Sequence, residues 1–123
     1  MAKVLIIDDE APIRENIARF LRLEGHQALQ ASDGEAGLAT ARAEKPALIL
    51  CDLTMPKLSG FEVLAALHAD AELAAIPFVF LSASVEPERL QAGLAGGAVG
   101  YVTKPFELAE LRRLLAEHLG TQR

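Results

Sequence analysis

Apolar residues along this chain gather into five short runs, and between the runs they spread to intervals of three and four. The runs cover Lys3–Ile7, His26–Ala31, Ala47–Cys51, Phe78–Leu81 and Gly100–Thr103. Runs of this length, bounded by turn-forming residues, predict strands buried on both faces. After the first run, Ile13, Ile17, Phe20 and Leu21 recur at helical spacing, and Glu24-Gly25 predicts a glycine stop. Ser32 with Glu35 reads as a capping box for a second helix, which runs to about Glu44 before Lys45-Pro46. Ser59 with Glu62 reads as another for a third. Leu108, Leu111, Leu115 and Leu119 form the apolar stripe of the last helix.

Strand–helix alternation through the whole chain implies an α/β fold, a three-layer sandwich around a parallel sheet. Right-handed crossovers then place helices on both of its faces. No repeat, low-complexity tract or linker interrupts the pattern, so residues 1–123 are expected to form one domain. In such sheets the functional crevice lies at the carboxyl ends of the strands. Asp8 and Asp9 end the first run, Asp52 the third, Ser82 the fourth and Lys104 the fifth. Three carboxylates at one sheet edge repel one another unless a cation sits among them, so the cluster predicts a divalent-metal site containing a candidate nucleophile. Taken alone, Asp8-Asp9 would read as a helix N-cap; Asp52 and Lys104 at matching strand ends argue for chemistry instead.

Composition narrows the field. Apolar residues make up 51% of the chain, which excludes disorder. No apolar run approaches the ~20 residues that span a bilayer. The start, Met1-Ala2-Lys3 ahead of four apolar residues, is too short for a signal peptide, so a cytoplasmic location without membrane contact is expected. Cys51 has no partner for an internal disulfide and reads as a small core residue. Net charge is −5, and the basic residues are scattered rather than clustered, so direct nucleic-acid binding is not expected. His26, His68 and His118 lack metal-ligand spacing and read as surface or rim residues. The glycines from Gly93 to Gly100 precede a strand and lack a following Gly-Lys-Ser/Thr, so they do not make a nucleotide loop.

The chain resembles the receiver domain of bacterial two-component response regulators along essentially its whole length. The motifs are Ile6-Ile7-Asp8-Asp9-Glu10, Asp52-Leu53-Thr54-Met55-Pro56 with Gly60 beyond it, Leu81-Ser82-Ala83, and Tyr101-Val102-Thr103-Lys104-Pro105-Phe106. The resemblance implies a doubly wound (βα)5 flavodoxin-like fold with strand order 2-1-3-4-5, the order known for the chemotaxis receiver. It implies Asp52 as phospho-acceptor, with Asp9 a direct Mg²⁺ ligand, Asp8 a ligand through water and the Thr54 backbone carbonyl a further one; Mn²⁺ is the alternative ion. Ser82 would hydrogen-bond the phosphoryl group, Lys104 would pair with it, and Tyr101 would be the aromatic switch residue. The Lys104–Pro105 bond is expected to be cis. The implied partners are a sensor histidine kinase or histidine phosphotransfer protein, and a downstream effector or fused output domain. Output would leave through the surface of the fourth helix, fifth strand and last helix, with phosphorylation-dependent homodimerisation a family option. Such a chain is a switch and not an enzyme, beyond its own phosphotransfer and self-dephosphorylation.

Some positions depart from the family pattern. Val99-Gly100 stand where many members carry two acids before the switch aromatic. Gly93, Gly96 and Gly97 predict a short or mobile fourth helix, with Gly97 as its cap. Thr54 and Ser84, small and polar, flank the path of attacking water and predict slow-to-intermediate self-dephosphorylation. A phosphohydrolase of the haloacid dehalogenase type would want a second aspartate where Thr54 stands. A flavin-binding first loop would not carry Asp8-Asp9-Glu10, which repels phosphate. The remaining alternative is a receiver fold that docks partners without phosphorylation.

Overall fold

Alternation within the strands sorts their side chains onto two faces. The computed structural model describes residues 2–55, 57–82, 91–92, 94–104 and 107–119. Its elements are β1 (Lys3–Ile7), α1 (Ala11–Leu23), β2 (Gln27–Ala31), α2 (Gly34–Glu44), β3 (Leu48–Asp52), α3 (Gly60–His68), β4 (Phe78–Ser82), β5 (Gly100–Thr103) and a C-terminal helix (Leu108–Leu119). Val4, Ile6, Leu48, Leu50, Val79, Leu81 and Val102 pack against α1 and the C-terminal helix. Their neighbours Leu5, Ile7, Ile49, Cys51, Phe78 and Phe80 pack on the other side against α2 and α3. β1, β3 and β4, covered on both faces, have no room for polar alternation and read as continuous apolar runs. The outer strands β2 and β5 keep exposed positions such as Gln27, Gln30 and Tyr101, against the expectation of burial on both faces.

All strand pairs are parallel and the order is β2-β1-β3-β4-β5, the order the resemblance implies. Register aligns Ile7 with Cys51, Asp52 with Leu81, and Ser82 with Thr103. The residues just past these pairs therefore meet at one edge of the sheet.

Several helix ends follow the sequence. Ser59 Oγ accepts from the Glu62 amide at 3.2 Å, and Glu62 Oε1 accepts from the Ser59 amide at 2.8 Å, so the capping box of α3 is present. That of α2 is not. Its N-cap is Asp33, whose Oδ1 accepts from the Ala36 amide at 2.9 Å, one residue beyond the expected Ser32/Glu35 pairing. On the C-terminal helix Leu111, Leu115 and Leu119 are buried as expected, Leu114 joins them, and Leu108 is exposed. Gln91, Ala92, Leu94 and Ala95 are helical, and the chain turns at Gly96 and Gly97. Gly97 has φ +115°, and a Cβ there would collide with the His68 ring, so both backbone conformation and space require glycine. The rest of the fourth-helix expectation falls on 83–90 and 93, outside the described residues, as do Ser84 and Pro105. Among the described residues no helix is long and apolar enough to cross a membrane.

Candidate functional site

β1 hands its ladder on by one residue. The Asp8 amide still donates to the Ala31 carbonyl at 3.1 Å, which holds Asp8 at the strand tip, fully buried. Its Oδ1 accepts from the Glu10 amide at 2.9 Å, and Arg14 Nη1 donates to its carbonyl at 2.7 Å. Asp52 is the last residue of β3, and its Oδ1 receives a long hydrogen bond from the Thr54 amide at 3.4 Å. Behind it, the Gly60 amide donates to the Leu53 carbonyl at 2.8 Å. A Cβ at Gly60 would stand 2.7 Å from the Asp52 carbonyl oxygen, so only glycine lets α3 start this close to the acid's backbone. Lys104 follows β5, with its amide donating to the Ser82 carbonyl at 2.7 Å.

These placements put one ammonium among three carboxylates. Lys104 Nζ lies 2.9 Å from Asp8 Oδ2, 3.2 Å from Glu10 Oε1 and 3.4 Å from Asp52 Oδ2. The lysine side chain is 8% exposed and that of Asp52 10%, whereas Glu10 is 57% exposed. Burial pushes the Asp52 carboxyl up to about 6, and the Asp8 charge adds to this against the opposing pull of Lys104 and the Thr54 amide. Burial works against the Lys104 charge too, but the carboxylates of Asp8, Asp52 and Glu10 outweigh it and raise the ammonium above its ordinary value. Burial, with the Asp52 and Asp8 charges behind it, pushes the Cys51 thiol well up, so the cysteine stays a neutral core residue.

Carboxylate oxygens of Asp8, Glu10 and Asp52 lie within 4.8 Å of one another. Asp8 Oδ2 is buried, and beyond its ion pair with Lys104 at 2.9 Å it has no hydrogen-bond partner among the described residues. Clustered hard oxygens with an unsatisfied buried member fit a hard divalent cation such as Mg²⁺. Asp8, Asp52 and Lys104 thus come together as the sequence suggests. Asp9 is exposed and stands outside the three-acid group. Glu10, to which sequence reasoning gave no role, stands inside it. Its backbone is still extended (φ −92°, ψ 103°), and the two-residue alternation of an extended chain was the available signal. Ser82 is buried at the tip of β4, Thr54 is exposed, and Tyr101 on β5 lies opposite Phe80 in register, 41% exposed.

The model of the response regulator receiver domain matches residues 4–116. The chain belongs to the response regulator receiver family. As a receiver domain it is 38% identical over 107 residues to protein PilH of Pseudomonas aeruginosa, covering 87% of this chain and 88% of that one. It is 42% identical over 108 residues to the phosphate regulon transcriptional regulatory protein PhoB of the same organism, covering 88% of this chain but 47% of PhoB. The chain therefore spans nearly all of one curated relative and about half of others. Its structure superposes on chemotaxis protein CheY4 of Vibrio cholerae with a TM-score of 0.91 at 34% identity, covering 96% and 98% of the two chains. The receiver domain of sensor histidine kinase PA1611 from P. aeruginosa, solved with magnesium coordinated in its active-site cleft, superposes with a TM-score of 0.89 at 26% identity, covering 98% of each. Receiver domains serve phosphorylation-dependent two-component signalling, in which they meet kinases and output domains, and they are not enzymes in the ordinary sense.

Proposed function

We propose that residues 1–123 form one receiver domain that accepts a phosphoryl group on Asp52 from a sensor histidine kinase or histidine phosphotransfer protein. The observation that carries this reading is the Lys104 ammonium 3.4 Å from the strand-end carboxylate of Asp52, both side chains being nearly buried. An Asp52 oxygen attacks phosphorus, the bond from phosphorus to the donor nitrogen breaks, and the electron pair leaves with the imidazole. The nucleophile must be ionised, and Lys104 favours that form against burial. Asp8, Asp9, Asp52 and the Thr54 carbonyl would hold Mg²⁺ or Mn²⁺, which when bound supplies charge to offset that gathering on the phosphoryl oxygens.

Lys104 and Ser82 then contact the phosphoryl oxygens, and movement of Ser82 opens space for Tyr101. The change is read on the surface of the fourth helix, β5 and the C-terminal helix by an effector or output domain. Coupling of ~1–3 kcal/mol biases such a switch without saturating it. Thr54 and Ser84 set the lifetime of the phosphoryl group. Intact mass after incubation with Mg²⁺ and acetyl phosphate tests the reading. One added phosphoryl group, absent in Asp52→Ala and without Mg²⁺, is the expected result. A folded protein that binds Mg²⁺ and gains no mass would instead be a phosphorylation-independent docking module.

A further inference from the structure

Lys104 occupies the centre of the acid cluster, the place where a divalent cation would find most of its charge compensation. It forms ion pairs with the two buried acids, at 2.9 Å to Asp8 and 3.4 Å to Asp52. Its contact to Glu10 is a hydrogen bond of 3.2 Å, and Glu10 is the one carboxylate of the three that reaches solvent. Glu10 sits at the N-cap position of α1, yet its side chain makes no capping bond. Helix capping therefore does not claim this carboxylate, which leaves it to the lysine.

A divalent ion and an ammonium compete for the same few oxygens, because like charges at contact distance repel strongly where water is scarce. The unsatisfied Oδ2 of Asp8 marks the buried side of the pocket as the place the ion would claim. The lysine must then give up Asp8 and Asp52, and Glu10 is the carboxylate to which it is already hydrogen-bonded. We propose that Glu10 is a positioning residue that retains Lys104 at the mouth of the site when a divalent cation takes the oxygens of Asp8 and Asp52. The inference rests on the metal-dependent reading given above. It adds that cation binding here is a handover, in which one counter-ion slides outward along its tether as another enters.

Because Glu10 acts through Lys104, its effect on metal binding should vanish once the lysine is gone. The test is Mg²⁺ affinity by calorimetry, without phosphodonor, for the wild type, Glu10→Gln, Lys104→Met and the double variant. Glu10→Gln is expected to weaken Mg²⁺ about fivefold with Lys104 present and to have no effect in Lys104→Met, a non-additivity typical of side chains in contact. An equal loss in both backgrounds would make Glu10 a plain ligand or field charge and overturn the proposal alone. No Mg²⁺ binding by the wild type would overturn the metal-dependent reading and the proposal with it. Should Lys104→Met not fold, reductive methylation of Lys104 followed by peptide mass analysis decides the matter. Added Mg²⁺ is expected to leave Lys104 protected in the wild type and to raise its reactivity several-fold in Glu10→Gln. Equal reactivity in the two proteins would refute the handover.

Discussion

At the amino edge of the sheet Lys3 meets Glu44 at 2.9 Å with side chains 42% and 41% exposed, whereas at the carboxyl edge Lys104 meets Asp8 at the same distance with side chains 8% and 0% exposed. Distance alone makes these pairs look alike. Water separates them: the first is solvated and screened, and the second stands in a desolvated cluster where removing the ammonium strands the carboxylates. The fold thus carries ordinary surface chemistry at one end and concentrates uncompensated charge at the other.

The sharpest way to break the comparison is to delete each lysine in turn. Lys104→Met should lower unfolding free energy by about 3–5 kcal/mol at neutral pH, measured by denaturant titration without metal. Much of that loss should return under acid conditions, where Asp52 protonates. Asp52→Asn should act in the opposite direction. The Asp52 carboxyl rises from 3.8 to about 6 on folding, so its ionisation opposes folding. Below 3.8 the acid is neutral in both states and costs nothing; between 3.8 and about 6 the unfolded chain loses its proton first and stability falls; above about 6 the cost is complete. The variant should therefore be more stable than wild type by on the order of 2 kcal/mol above that range, with the gap closing as pH falls through it. Saturating Mg²⁺ should narrow the gap at neutral pH.

A third site for comparison is the N-terminus of α2, where Asp33 caps the helix and meets Lys57 at 3.7 Å. Asp33→Ala should cost about 1 kcal/mol, read as a shift in denaturation midpoint, because the Ala36 amide loses its acceptor. Ser32→Ala should cost much less, since Ser32 does not cap the helix. At the small end, Glu44→Gln should change stability by about 0.5 kcal/mol or less, and added salt should erase the difference. A large effect there would show that the two edges are not electrostatically distinct.

Much of this was legible in the sequence because parallel strands covered on both faces announce themselves as unbroken apolar runs. Their carboxyl ends follow at once, and with them Asp8, Asp52, Ser82 and Lys104. What was harder to read lay where two neighbouring residues could do the same job. Ser32 and Asp33 are both good caps, and the Glu35 spacing favoured the wrong one; the strand ending at Ala31 and the entry of Gly34 under Leu58 and Val63 decide for Asp33. Leu111, Leu114 and Leu115 all fall on a helix face wide enough for each, so a single stripe overlooked Leu114 and included the exposed Leu108. Glu10, one residue past the Asp8-Asp9 pair, joins the acid cluster for a different reason. Composition cannot say that its carboxylate reaches Lys104, because the path of the chain after β1 sets that direction.

The hydrogen bond from Lys104 to Glu10 joins residues 94 positions apart, and this gives the site a place in the order of synthesis. A chain growing from its amino end brings out Asp8, Glu10 and Asp52 first and must wait for β5 before their counter-charge arrives. Until then water, protons or a bound cation must offset their repulsion, so the sheet has reason not to close early. β5 thus completes the hydrogen-bond ladder of the sheet and brings the cluster its ammonium in the same step.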